Sequence, residues 1–156
     1  MKYRYDNRKK YDIKEACRKY GFRASEKFWN VSQIGILTTW NGIGGKNGLK
    51  PPKTAYGLNV ELPSAPHDID YEIGENWYNF DKANEDYLYN NYQVIDKESI
   101  WFLKWLRKRR MYKYYLAVKI GGDEYFWTPE KLKRMGLSAI PPRPEPKPKL
   151  RVSIFK

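Results

Sequence analysis

One cysteine, Cys17, and one histidine, His67, stand in 156 residues. The lone thiol excludes an internal disulfide, and with it a cysteine-based zinc site within one chain. No window approaches the roughly 18 consecutive apolar residues that would suggest a membrane-spanning helix. The opening Met1-Lys2-Tyr3-Arg4-Tyr5-Asp6 lacks the apolar core of a signal peptide. Acidic residues are also short, 18 against 30 Lys plus Arg, for a formal net charge of +12. That surplus calls for an anionic partner: nucleic acid, phospholipid head groups or acidic protein. Charge alone does not choose among them. No internal repeat is present, and the length suits one domain with a modest core. What the chain has in plenty is aromatic, with 14 Tyr and 6 Trp contributing to a 17% share.

The only histidine lies in Pro66-His67-Asp68-Ile69-Asp70-Tyr71, an HDxxY pattern. Local signals favour a helix, with Ser64 as N-cap, proline tolerated in the first turn and Gly74 as the stop. His67 and Tyr71 then share a face, and Asp68 is turned about 100° from His67. That suits a division of labour, His67 facing a reacting water and Asp68 facing a metal. The plainer alternative is a first-turn histidine bonded to a backbone group.

Around this motif the chain reads as mainly helical. Residues 12–20 form a short amphipathic helix carrying Ile13, Ala16, Cys17 and Tyr20, ended by Gly21. Together, residues 1–30 read as a basic N-terminal arm for docking. The run 31–37 fits a strand or a helix. Trp40-Asn41-Gly42-Ile43-Gly44-Gly45-Lys46-Asn47-Gly48 holds four glycines in seven residues and forbids regular structure. Such a loop can turn main-chain carbonyls toward a hard cation such as Ca²⁺, or be a plain turn. A strand is expected at 57–62. A second helix, 80–92, capped by Asn79 or Asp81, puts Phe80, Ala83, Tyr87 and Val94 on its apolar face. The short connection makes it an antiparallel neighbour of the HDxxY helix. That aims Asn84 at His67 and leaves Asp86 on the flank.

The third and longest helix, 96–119, mixes Trp101, Phe102 and Trp105 with Lys104, Arg107, Lys108, Arg109 and Arg110. That mixture suits a membrane interface, a nucleic-acid backbone or a core helix with a solvated basic face. Gly121-Gly122 makes a turn. Thr128-Pro129 starts a further helix that stops at Gly136. From Pro141 the chain has five prolines in eight residues and is extended. The final Leu150-Arg151-Val152-Ser153-Ile154-Phe155 reads as a strand offered to a partner.

A glycine-rich loop, HDxxY beginning 27 residues after Trp40, and a helix with Ala83-Asn84-Glu85-Asp86-Tyr87 together resemble the phospholipase A2-like superfamily. The similar members are the disulfide-free ones of viral capsid proteins and bacteriophage genomes. The resemblance covers residues 40–92, about a third of the chain. It implies Ca²⁺-dependent hydrolysis of the phospholipid sn-2 ester. His67 would be the general base, Asp68 the calcium carboxylate, main-chain oxygens around Asn41, Gly42 and Gly44 the calcium loop, and Tyr71 a support of the network. One position departs from the pattern: Asn84 stands where the family has an aspartate that orients the histidine. An amide can accept the imidazole N–H but cannot balance an imidazolium.

The fold expected is mainly α: two antiparallel helices carrying the site, a longer third helix, a glycine loop, and arms at both ends. The divisions are 1–30 arm, 31–138 phospholipase A2-like domain and 139–156 proline-rich tail. Three functions remain open: a Ca²⁺-dependent phospholipase at a phospholipid membrane surface; a catalytically weak or inactive structural protein of a bacteriophage virion, docking on other virion proteins through its arms; and a basic nucleic-acid-binding protein, for which no recognised motif speaks. The resemblance places the protein in a virion or an infected bacterial cell.

Overall fold

The computed structural model describes residues 12–43 and 51–145. Eight helices and one two-stranded ribbon account for most of them, so the chain is mainly helical. Helix α1 (Ile13–Tyr20) is capped by Asp12, whose side chain accepts from Glu15 N, and ends at Gly21 with φ 71°. The left-handed conformation there is one that glycine adopts without penalty. Helix α2 (Glu26–Asn30) is capped by Ser25, and α3 (Gln33–Thr39) by Ser32, so the run 31–37 is helix from residue 33 on, with Val31 and Ser32 extended between the two helices.

The ribbon is shorter than the strand expected at 57–62. Strand β1 (Thr54–Ala55) pairs antiparallel with β2 (Leu58–Asn59). Tyr56 (φ 47°) and Gly57 (φ 78°) form the connecting turn. Two positive φ values match the hairpin turn that follows the strands' own twist. Arg107 holds this tip, donating from Nε to Ala55 O at 3.1 Å and from Nη2 to Tyr56 O at 2.7 Å.

Helix α4 (Ser64–Ile73) carries HDxxY. Ser64 is not its cap. The first helical amides are met by a backbone turn, Ser64 N to Glu61 O and Ala65 N to Leu62 O. The Ser64 hydroxyl instead accepts from Trp40 Nε1 at 2.7 Å. Gly74 does stop the helix, though at φ −67°. Its smallness serves a close approach, since a Cβ there would lie 2.6 Å from the Phe126 ring.

Helix α5 (Trp77–Glu98) begins earlier and ends later than the expected 80–92. Its cap is Asn76 rather than Asn79 or Asp81. Asn76 accepts from Asn79 N, while Asn79 reaches back to accept from Glu75 N at 3.0 Å. Each asparagine thus meets an otherwise unpaired amide, as in a capping box. The long third helix is α6 (Trp101–Gly121), not 96–119. The chain breaks at Ser99 and Ile100, and the Ser99 hydroxyl accepts from Arg107 Nη1 at 2.9 Å. Helix α7 (Asp123–Phe126) follows at once. Helix α8 (Pro129–Arg134) is capped by Thr128, with Gly136 at φ 70° beyond it.

His67 meets Tyr87 while Tyr71 meets Phe80, so α4 and α5 run antiparallel. Asp96 meets both Lys104 and Lys108 across the next bend, which makes α5 and α6 a second hairpin. Three apolar clusters surround this frame. The first joins Ile13, Cys17, Phe22, Phe28, Ile36 and Trp40 to Ile69 and Val94. The second joins Ile43, Ala55 and Val60 to Tyr87, Ile95 and Met111. The third is Tyr71, Phe80, Ala83, Phe126 and Trp127.

The stretch read as a docking arm is therefore core from residue 12 on. Its residues 1–11 lie outside those described, as do residues 146–156, which hold the strand expected after the prolines. Where the tail leaves the domain it is extended but held. Pro141 O accepts from Trp77 Nε1 at 2.8 Å, and Arg143 pairs with Asp81. Among the described residues no helix is long and apolar enough to cross a membrane.

Candidate functional site

The three clusters meet around His67, which is 8% exposed. Helix α4 sends Ile69 into the first cluster and Tyr71 into the third, while α5 sends Tyr87 into the second. The imidazole packs against two rings, Tyr71 at 4.1 Å and Tyr87 at 4.9 Å between centroids. Its Nε2 is 3.0 Å from Asn84 Oδ1. The Tyr71 hydroxyl donates to the same oxygen at 2.8 Å. Asn84 is 1% exposed, and its Nδ2 has no partner among the described residues. With Nε2–H donating to the amide oxygen, the lone pair sits on Nδ1.

Asp68 lies closer to that lone pair than helical rotation alone suggests, with Oδ1 3.6 Å from His67 Nδ1. This separation is beyond a hydrogen bond. The other oxygen, Oδ2, accepts from Asn41 N at 2.8 Å, and the Gly42 amide lies close enough to favour the ionised carboxylate. Burial pushes the Asp68 carboxyl above its ordinary range, opposed by His67 and the two loop amides. No lysine or arginine among the described residues pairs with Asp68.

Trp40 pins the start of the loop by its bond to Ser64. Gly42 has φ 82°, and a Cβ there would lie 2.6 Å from Glu61 Oε1. Only glycine combines that backbone with that contact. Glu61 is fully buried, and Lys53 Nζ lies 3.3 Å from its Oε1. His67, Asp68, Asn41, Gly42, Tyr87 and Val118 line one cleft of about 1120 Å³. Asp86 takes no part at the imidazole; it is bound by Lys82 at 2.5 Å.

The structure thus brings together His67, Asp68, Tyr71, Asn84, Asn41 and Gly42. Gly44 lies outside the described residues. Several contributors are not legible as such in the sequence. Gly122 backs the site, because a Cβ there would come within 2.5 Å of the Tyr71 hydroxyl. Lys131, 3% exposed, donates to Tyr71 O in the last turn of α4 and sits 3.9 Å from the centre of the Phe126 ring. A cation is favourable at such a terminus, but burial lowers its amine to about 8. Glu61 gives no local signal either; only the fold places it beside Gly42.

For a hard cation the donor chemistry is suitable though small. Asp68 is a partly buried carboxylate without a lysine or arginine partner among the described residues, and carboxylate and main-chain oxygens are the ligands Ca²⁺ takes. Among the described residues no three His, Cys, Asp or Glu side chains gather into a metal-binding group. Such a site would therefore rest on Asp68 and main-chain oxygens. No family model matches the chain, nor does any curated protein or solved structure.

Proposed function

We propose that the protein is a phospholipase A2-like hydrolase in which His67 takes a proton from the water that attacks a phospholipid ester. The observation that carries this reading is the pair of donors on Asn84 Oδ1, His67 Nε2 at 3.0 Å and the Tyr71 hydroxyl at 2.8 Å. This arrangement holds the Nε2–H tautomer and directs the basic Nδ1 away from Asn84, where a general base is needed. The Tyr71 and Tyr87 rings pack against the imidazole and restrict its movement. Asp68, with main-chain oxygens around Asn41, Gly42 and Gly44, would hold Ca²⁺. Bound there, the ion supplies Lewis-acid polarisation of the ester carbonyl and stabilises the oxyanion.

A second reading is a phospholipase-like core retained for assembly in a phage particle, with little or no turnover. Asn84 favours it, because an amide leaves the imidazolium unbalanced. The corresponding acid-to-amide change in a serine-protease triad costs about 10⁴-fold in turnover. The Asn41 amide already on Asp68 favours it as well. A nucleic-acid partner has only the charge of +12 behind it.

Release of fatty acid from mixed phospholipid vesicles, with Ca²⁺ and with chelator, separates these readings. The enzyme reading expects calcium-dependent release that disappears in His67→Ala. Silence from the wild type with release from Asn84→Asp would instead identify a phospholipase fold that has lost its acid. Silence from both, in folded protein, would sink the catalytic reading.

A further inference from the structure

We infer that the outward face of α6 is a docking surface for an anionic phospholipid bilayer, with the helix lying lengthwise in the head-group region. Trp101 is 83% exposed, Trp105 64% and Ile120 79%. At 3.6 residues per turn, Trp101, Trp105 and Tyr112 fall within about 40° of one another, and Arg109 lies on the same side. The stripe from Trp101 to Ile120 is about 28 Å long at 1.5 Å per residue. Among the described residues nothing covers these exposed side chains, while Arg107, Met111 and Tyr115, about 100° round the helix, face the interior.

Charge selects the occupant. Between Glu98 and Asp123 the chain has seven basic residues and no acidic one. Lys104 and Lys108 are held by Asp96, and Arg107 is spent on the ribbon tip. Arg109, Arg110, Lys113 and Lys119 have no acidic partner among the described residues, and the Arg109 guanidinium lies over the Trp105 ring at 5.5 Å. Exposed indole interleaved with cations along one helical face is what an anionic interface rewards: rings seat at head-group depth and cations meet lipid phosphate. An exposed isoleucine at the far end adds to burial in lipid and contributes nothing to a duplex backbone. The same helix lines the cleft with Tyr114, Ala117 and Val118. Docked this way, the cleft lies within a helix diameter of the bilayer.

The surface is separate from the chemistry at His67, so its test is run under chelator. The full chain is mixed with vesicles of phosphatidylcholine alone or with phosphatidylglycerol, and bound protein is measured by flotation. Binding is expected only with phosphatidylglycerol, weakening as salt is raised. Trp101→Ser with Trp105→Ser should lower the partition about tenfold or more, and Arg109→Glu with Lys113→Glu at least as much. Quenching of tryptophan fluorescence by brominated lipid should vanish in the double serine variant. Equal binding by wild type and double serine variant, no binding by the wild type, or binding to duplex DNA without binding to vesicles would each overturn the inference. Docking without fatty-acid release leaves it intact and counts only against catalysis.

Discussion

Gly121 and Gly122 are adjacent, yet alanine at the two positions should act in opposite directions. A Cβ at Gly122 would lie 2.1 Å from Val118 O and 2.5 Å from the Tyr71 hydroxyl, whereas at Gly121 nothing lies within 4 Å. Val118 O is backbone and cannot retreat, so the α6–α7 junction and the Tyr71 ring must shift. Overpacking of this kind costs about 1–3 kcal/mol. Moving Tyr71 off Asn84 Oδ1 removes a buried hydrogen bond worth about 1 kcal/mol more. The total, about 2–4 kcal/mol, corresponds to a Tm lowered by about 5–15 °C in a chain of this size. Gly121→Ala should raise stability by about 0.5–1 kcal/mol, because it restricts the unfolded chain and meets no atom. Calorimetric scans of both variants decide the matter. Tyr71→Phe provides a second check, since without the hydroxyl the Gly122→Ala penalty should shrink by about 1 kcal/mol. Equal melting temperatures for the two alanine variants would refute the reasoning.

Arg107→Met should lower the unfolding free energy by about 2–3 kcal/mol, seen as a lower urea midpoint at an unchanged m value, because the Ala55 and Tyr56 carbonyls and the Ser99 hydroxyl lose their donor. The Lys131 amine is lowered from 10.5 to about 8 by burial. The unfolded chain therefore binds more protons across that window, and the lysine's contribution to stability rises with pH between those values and is flat below them. Chemical denaturation from pH 7 to 10 should show this rise, and Lys131→Met should lack it. Cys17, fully buried with its thiol pushed up to about 12, should resist a thiol-specific reagent at pH 8 in native protein and react fully in denaturant.

The approach of Asn84 to His67 was legible because the arithmetic behind it is local. The 3.6-residue period assigns faces, and a short connection forces α4 and α5 to run antiparallel. Where two residues could do one job, the sequence did not choose. For α5 it offered Asn79 or Asp81 as the cap, whereas the structure caps with Asn76 and turns Asn79 back to Glu75 N. The break at Ser99 carries no glycine or proline, and Arg107 fixes it from eight residues away. Residues 12–30 resembled an arm because the stretch is basic and aromatic, and the apolar face of Ile13, Cys17 and Tyr20, though legible, does not say what it packs against. Those three, with Phe22 and Phe28, find their cover on Ile36 and Trp40 and, farther along the chain, on α4 and α5, a long-range pairing that local pattern does not encode. The same applies to Gly122 and Lys131, whose importance depends on which atoms approach them.

One contact between the N-terminal segment and α5 has a consequence for how the chain tolerates change. Asn90 Oδ1 accepts from Arg23 N, and Asn90 Nδ2 donates to Arg23 O, both at 2.7 Å. The amide reads the main chain of position 23, not its side chain. Any residue except proline at 23 keeps both bonds, losing only the guanidinium that lies over Tyr89 at 3.7 Å. At position 90 aspartate lacks the donor, leucine lacks both groups, and glutamine sets the fork one methylene too far out. The two ends of one contact therefore drift at different rates, so sequences sharing this fold would vary at 23 and hold asparagine at 90.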